Sequence, residues 1–256
     1  MTNDPLMASE VTATSEKASS RGWMWILIAL AGVAILLVLM CAGVLAALLI
    51  PAVSSARTAA RTVSAQNNLK LVGIAFQEYH QAHGQLPLSV MAEETEGQQK
   101  QVSWRVSLLP FLLDEGMAGL YDTDEQISVE GEGSDPSLGC PIYYRNDLFD
   151  TDVTSQEACV FVVNDPEGVM DKDAVVSLDD VTDGADSTLL AVSLSDRSVP
   201  WSNPEDLDLG QLQAAFSNAS SEQPVLVLFC DGSVEAFREP ISPGRVRAMV
   251  TKAGND

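Results

Sequence analysis

The sequence lacks the short motifs that carry the commonest enzyme chemistries. It contains no G-x-S-x-G elbow, no P-loop, no G-x-G-x-x-G turn and no H-E-x-x-H pair, the patterns of hydrolase nucleophiles, phosphate cradles and zinc sites. None of its four cysteines forms a C-x-x-C pair, which argues against a zinc knuckle and a thioredoxin-type site. We therefore predict that the chain is not an enzyme, and we assign no catalytic, cofactor-binding or metal-binding residue.

Basic residues are scarce. The chain has 14 Lys and Arg against 36 Asp and Glu, a formal net charge of −22. Most of this imbalance lies in residues 57–256, which hold 33 acidic and 12 basic residues. Such a surface repels phosphate backbones and keeps a folded domain soluble, so we expect no nucleic-acid partner.

Charge of either sign is absent from residues 22–56, and residues 22–50 are apolar at every position. A helix needs about 20 apolar residues to cross a bilayer, whereas the apolar core of a signal peptide has about 7–15. We interpret residues 22–50 as a retained single-pass transmembrane helix, with the lipid bilayer as its partner. Residues 1–21 are polar and rich in Ser and Thr, which predicts a disordered cytoplasmic tail.

The next segment, residues 51–83, has the periodicity of an amphipathic helix. Its apolar residues recur three, four and seven residues apart within two groups, first Ala56, Ala60 and Val63, then Leu69, Val72, Phe76 and Tyr79. This spacing places them on one helical face. We predict a stalk helix that ends at His83, with Gly84 as a left-handed cap.

Residues 84–256 form the predicted head, in which strand-like runs follow a helical segment. The helical segment spans 103–122, with Ser103 as its N-cap, an interruption at Pro110 and an end near Gly116. The predicted strands are 158–163, 174–178, 187–194, 225–230 and 233–237. Asp231 and Gly232 predict a two-residue type I′ hairpin turn between the last two strands, and residues 243–252 a closing helix. The fold class is therefore α+β, with a small antiparallel sheet packed against one long N-terminal helix.

The stretch AARTVSAQNNLKLVGIAFQEYHQAHGQLP, residues 59–87, resembles the signature of a bacterial prepilin-like family known as domain of unknown function 1559. Later blocks resemble the family in the same order: SWRVSLLPFL (103–112), DVTDGADST (180–188), VPWSNPEDL (199–207) and LFCDGSVEAF (228–237). The similarity covers roughly residues 47–252 and implies a type IV pilin-like or pseudopilin-like architecture.

One feature of the apolar run departs from the family pattern. Arg21 and Gly22 precede Trp23 without the usual Phe-Thr-Leu-Ile-Glu, and the run contains no glutamate. In pilins that buried glutamate takes part in assembly, so its absence puts leader processing and filament entry in doubt. The segment resembles a pilin stalk that serves only as a transmembrane anchor.

The resemblance implies a non-catalytic, membrane-anchored surface or envelope protein with its head outside the cytoplasm. Its expected partners are further copies of the chain or other pilin-like subunits. The alternative is a tethered module that binds an extracytoplasmic solute or polysaccharide, since the family is sometimes labelled solute-binding protein-like. Lys17 and Arg21 before the span are balanced by Arg57, Arg61 and Lys70 after it, so the positive-inside rule does not set the orientation.

Four further features each have two interpretations. His80 and His83 are either metal ligands or helix-end residues favoured by the dipole. The acidic stretches 164–173 and 179–186 either bind calcium or form Asp/Gly turns. Trp201 is either an exposed aromatic residue that binds another molecule or a residue that covers the edge of the hydrophobic core. Cys140 and Cys159 either pair or remain buried thiols, and in each of the first three cases we favour the second interpretation.

Overall fold

The computed structural model describes residues 20–95, 98–112, 139–148 and 156–254. The predicted tail lies outside these residues except for Ser20 and Arg21, which are helical. The predicted helix end near Gly116 lies outside them as well. The chain divides into two compact units, residues 1–54 and residues 55–256. The second unit contains the head, residues 84–256, and most of the predicted stalk.

The longest element is helix α1, which spans Ser20–His83 and contains both the predicted transmembrane segment and the predicted stalk. Pro51 lies within it. The helix ends where the sequence predicts, because Gly84 adopts a φ of 72° and its N–H donates to the carbonyl of His80 at 2.7 Å. A left-handed glycine of this kind satisfies a terminal carbonyl without steric cost.

The head contains short strands and helices around a four-stranded sheet. Its strands are β1 Val90–Thr95, β2 Gln98–Ser103, β3 Glu157–Ala158, β4 Val160–Phe161, β5 Leu189–Ser193, β6 Val199–Pro200, β7 Val225–Phe229 and β8 Val234–Phe237. Its helices are α2 Trp104–Ser107, α3 Leu109–Leu112, α4 Leu209–Ser217 and α5 Pro243–Val250, with 3-10 turns at Ile142–Tyr144 and Leu178–Asp180. The main sheet has the order β4-β5-β7-β8 and is antiparallel throughout. β1 pairs with β2, and β3 pairs with β6.

The main sheet is buried on both faces. On one face, Leu226 and Leu228 of β7 belong to a core shared with Leu69 and Phe76 of α1. On the other face, the alternate residues of β7 (Val225, Val227 and Phe229) belong to a core shared with α4 and α5. Strands covered on both sides are apolar at successive positions instead of alternating, which explains the continuous run VLVLF. Together with α1, the head therefore forms three layers. Its α+β class and the packing of its sheet against α1 are as the sequence predicts, whereas the third layer, formed by α4 and α5, is not predicted.

Most predicted strands are present, but residues 174–178 are not a strand. The carbonyl of Val176 accepts from the N–H of Leu86, outside any strand ladder. The next residue, Ser177, caps the 3-10 turn Leu178–Asp180 through a reciprocal capping box with Asp180. A side-chain cap of this type competes with sheet pairing. The apolar run AVV, residues 174–176, therefore does not form a strand.

The β7–β8 hairpin is correctly predicted, but its turn is not of the predicted two-residue type. The N–H of Phe229 donates to the carbonyl of Ser233, and the N–H of Gly232 donates to the carbonyl of Phe229, both at 2.9 Å. The loop therefore has three residues, Cys230 to Gly232, with Gly232 at a φ of 85°. A left-handed glycine at the end of a three-residue loop is typical of a bulged hairpin.

Four other elements differ from expectation. The helical segment after Ser103 is split into α2 and α3, with Pro110 inside α3. The closing helix α5 is two residues shorter than predicted. The predictions omit the hairpin β1–β2, whose strand QQKQVS is polar. They also omit helix α4, although the capping box of Asp208 with Gln211 marks its start.

Candidate functional site

The apolar part of α1 is exposed along its whole length. Every residue from 23 to 50 is exposed, and the extremes include Trp23 at 70% and Ile50 at 71%. This helix is long and apolar enough to cross a membrane. Exposed apolar surface on this scale marks a lipid or protein contact, since a water-facing surface rarely carries patches of more than a few hundred Å². The finding supports membrane anchoring through residues 22–50.

Beyond Ser54, one face of α1 is packed into the head. The buried positions are Thr62, Ala65, Leu69, Val72, Ala75, Phe76 and Tyr79. Most are three or four residues apart, so they form one stripe along the helix. Phe76 stacks on Trp104 with ring centroids 5.1 Å apart. Gly73 lies so close to β7 that a Cβ there would be 2.7 Å from Cδ1 of Leu228. The stalk helix is thus a structural layer of the head.

The opposite side of this part of α1 carries a second apolar stripe, which we call the outer face and define as Val63, Leu71 and Ile74. These side chains are 54%, 42% and 48% exposed. They lie eight and three residues apart, on the side of the helix away from Leu69 and Phe76. A helix that is apolar on both sides is ordinarily buried on both. The outer face is therefore the main candidate for a contact with another molecule.

A buried ion pair lies next to Trp104, with Cζ of Arg105 4.8 Å from the centroid of its ring. Nη2 of Arg105 is 2.9 Å from Oδ1 of Asp206, and neither side chain is accessible to solvent. The guanidinium also donates to the carbonyls of Val160 and Asn203 and to Oγ of Ser103. Asp206 accepts further hydrogen bonds from Nε1 of Trp104 and the N–H of Val162. Burial raises the pKa of Asp206 to about 6, although Arg105 and these hydrogen bonds lower it.

This ion pair joins α2 to β4 and to the segment after β6, so its role in the head is structural. The sequence signal was present, since Arg105 is the only charged residue in the apolar stretch SWRVSLLPFLL. A charge at such a position needs a buried partner. The sequence does not reveal which of the many acidic residues supplies that partner.

The two histidines do not face a common ligand site. Nε2 of His80 lies 2.9 Å from Oγ of Ser177, whereas Nδ1 of His83 lies 3.0 Å from the carbonyl of Tyr79. The His83 ring stacks on Tyr79 and meets the edge of Phe111. Within the described residues, no group of three or more His, Cys, Asp or Glu side chains is placed to hold a metal ion.

The two acidic stretches are turns held by the C-terminal segment. Nζ of Lys252 donates to the carbonyls of Pro166 and Gly168 in the first stretch. The Lys252 carbonyl accepts the N–H groups of Thr182 and Asp183 in the second. An ammonium group therefore occupies carbonyls of the kind that a calcium ion would use. Next to it lies an open cleft of about 310 Å³, lined by Glu167, Arg247, Thr251, Lys252, Ala253 and Gly254.

Trp201 and the cysteines of the head are buried. Trp201 is 2% exposed, so the core interpretation is correct. Cys140 and Cys159 are buried as well, and Cys140 carries a free thiol. Burial raises the pKa of the Cys140 thiol above its ordinary range and that of Cys230 to about 12. Neither has the lowered pKa of a reactive cysteine.

Comparison with known proteins gives a family match over part of the chain. Residues 54–139 match the family described as "Protein of unknown function (DUF1559)", the family that the motifs resemble. Comparisons with curated proteins and with solved structures gave no match. The matched segment contains the part of α1 that packs into the head, the β1–β2 hairpin and the α2 motif with Arg105.

Proposed function

We propose that the chain is a non-catalytic, single-pass membrane protein whose head stands outside the cytoplasm in a structural or interaction role. The observation that carries this proposal is the change of environment along α1. Residues 23–50 are apolar and exposed, while the stripe from Thr62 to Tyr79 is buried against the sheet. One helix thus supplies both a membrane-length segment and a core layer.

The outer face supports an interaction role. Val63, Leu71 and Ile74 are exposed apolar residues on the helix that also carries the anchor. Anchored copies share one membrane and one orientation, which raises their effective concentration toward each other. We infer that the outer face contacts a second copy of the chain or another pilin-like subunit.

A solute-binding head is the second candidate, and the cleft beside Lys252 is the observation in its favour. Its volume suits a small molecule, but four of its six lining residues carry charged or polar side chains. Sugar recognition usually employs exposed aromatic rings, and the large exposed apolar residues of the described head are all aliphatic. The structural role therefore explains more of the surface than solute binding does.

Topology and contact are tested on the full chain in membranes. Reporter fusions at the two ends give the orientation, and we expect the C-terminal reporter to be active outside the cytoplasm. For the contact, Ile74→Cys is introduced together with Cys41→Ala and oxidised mildly. We expect a disulfide-linked dimer, because Ile74 lies on the outer face.

The matched control is Arg238→Cys in the same background, since Arg238 is exposed on the head but lies outside α1. Equal cross-linking of both variants, or of neither, would remove the support for an interaction through the outer face. A reporter active only in the cytoplasm would contradict the proposed location.

A further inference from the structure

The part of α1 that follows the apolar run is basic, in a chain that is otherwise strongly acidic. No Asp or Glu occurs between Glu16 and Glu78, whereas Arg57 and Arg61 follow Ile50 by seven and eleven residues. Both arginine side chains are exposed. Neither forms an ion pair with any acidic residue in the described parts of the chain.

The helical geometry directs both side chains the same way. Arg57 and Arg61 are four residues apart, so they project from one side of α1. Cα–Cβ bonds in a helix tilt toward its N-terminus, which here means toward the apolar run. Seven residues of helix rise about 10 Å, and an arginine stem is long enough to bring its charged group back toward a bilayer surface.

We propose that Arg57 and Arg61 bind the phosphates of anionic lipid headgroups in the leaflet nearest the head. A guanidinium donates two parallel hydrogen bonds to a phosphate, and its charge is attracted to an anionic membrane surface. Such a surface repels the rest of the head, since residues 62–256 hold 33 acidic and 10 basic residues. The two arginines thus provide local attraction where the chain leaves the membrane.

This inference rests on the proposed anchor but not on the orientation of the head. The occupant is a lipid and not free phosphate, because the apolar run brings these two residues to a membrane surface. Lys70 is left out of the site, since it lies nine residues beyond Arg61 and about 30 Å of helix rise beyond Ile50.

Lipid selectivity of the full chain tests the site. The chain is reconstituted in phosphatidylcholine bilayers that contain a trace of spin-labelled phosphatidylglycerol or spin-labelled phosphatidylcholine, and electron paramagnetic resonance gives the fraction of each lipid at the protein. A Lys17→Gln/Arg21→Gln background removes the basic residues on the other side of the span. In this background we expect phosphatidylglycerol to be favoured about threefold. Adding Arg57→Gln and Arg61→Gln should lower the ratio to about one.

The matched control in the same background is Lys172→Gln/Arg238→Gln, which removes the same charge from two exposed positions of the head and should leave the ratio unchanged. The proposal is wrong if the Arg57/Arg61 variant keeps its selectivity, or if the control loses as much. It is also wrong if inorganic phosphate abolishes selectivity more strongly than chloride at equal ionic strength, which would indicate a free-phosphate site. Extraction at alkaline pH separates the two proposals: loss of the chain from the membrane contradicts the anchor, whereas an inserted chain without selectivity contradicts only the lipid site.

Discussion

Arg105 and Asp206 face each other at 2.9 Å inside the head, and both side chains are fully shielded from water. Removing one member leaves a buried charge and several unpaired donors, including Nε1 of Trp104. We expect Asp206→Ala to lower the free energy of unfolding by about 3–5 kcal/mol, measured by urea titration of the detergent-solubilised chain.

The exposed pair of Arg247 and Glu167 is the control for this prediction. Its side chains are 51% and 61% exposed, and pairs of this kind contribute about 0–1 kcal/mol. Glu167→Gln should therefore change the free energy of unfolding by less than about 1 kcal/mol. A comparable loss in the two variants would mean that burial does not set the strength of the first pair.

The stability of the head should depend on pH through Asp206. Burial raises its pKa from the ordinary 3.8 to about 6, so the folded state holds this proton more tightly than the unfolded state does. The stabilisation is complete below about pH 4 and is lost as the pH rises through 6. The free-energy difference between wild type and Asp206→Ala should therefore be smaller at pH 7 than at pH 4. A difference that is larger at pH 7 than at pH 4 would show that the Arg105 guanidinium lowers the pKa of Asp206 more than burial raises it.

The two sides of α1 should respond differently to truncation. Phe76 is wholly buried and stacks on Trp104, so Phe76→Ala should cost about 3–5 kcal/mol of unfolding free energy. Ile74 is two residues away but 48% exposed, and Ile74→Ala should change it by less than about 0.5 kcal/mol. If Ile74→Ala destabilised a monomeric, detergent-solubilised sample as much as Phe76→Ala does, the outer face would belong to the core.

Gly232 in the β7–β8 turn should not tolerate a side chain. Its φ is 85°, and an added Cβ would lie 2.9 Å from Nε2 of Gln77 on α1. We expect Gly232→Ala to lower the free energy of unfolding by about 1–2 kcal/mol. Gly244 in the first turn of α5 has open space around it, so Gly244→Ala should be neutral or stabilising by up to about 1 kcal/mol.

The thiols should separate into two classes in the folded, solubilised chain. Cys41 is exposed, whereas Cys140, Cys159 and Cys230 are buried. Because burial raises the pKa of Cys230 to about 12, little thiolate forms at pH 8. Cys41 lies in the apolar run that detergent covers, so only the head cysteines are counted. We expect a water-soluble maleimide to modify none of these three in the folded chain and all three in urea, counted by mass spectrometry. Rapid modification of a head cysteine without denaturant would indicate an open head.

Much of the fold was predictable because strong local signals agree with it. The 29 apolar residues, the Gly84 cap and the period of the stalk helix each specify part of α1 without tertiary information. The run VLVLF predicts a strand because β-branched and apolar residues dominate it. AVV at residues 174–176 has the same composition, but the Ser177 cap and the pairing of Val176 with Leu86 override it.

The site was less predictable than the fold. The seven apolar residues predicted to share one helical face divide into two groups: Leu69, Val72, Phe76 and Tyr79 are buried, whereas Ala56, Ala60 and Val63 are exposed. The step of six residues from Val63 to Leu69 turns the helix by about 240°, so the two groups lie on different sides of α1. The partner of Arg105 lies 101 residues away, and a sequence with 36 acidic residues offers no way to select Asp206.

The packing of α1 into the head determines where proteolysis could release an intact head. A cut between residues 55 and 61 would leave every buried position of the helix, from Thr62 onward, attached to the released fragment. A cut after Leu69 would remove Thr62, Ala65 and Leu69 from the core. Any protease that releases a head with its whole core must therefore cut within about two turns of helix after the apolar run.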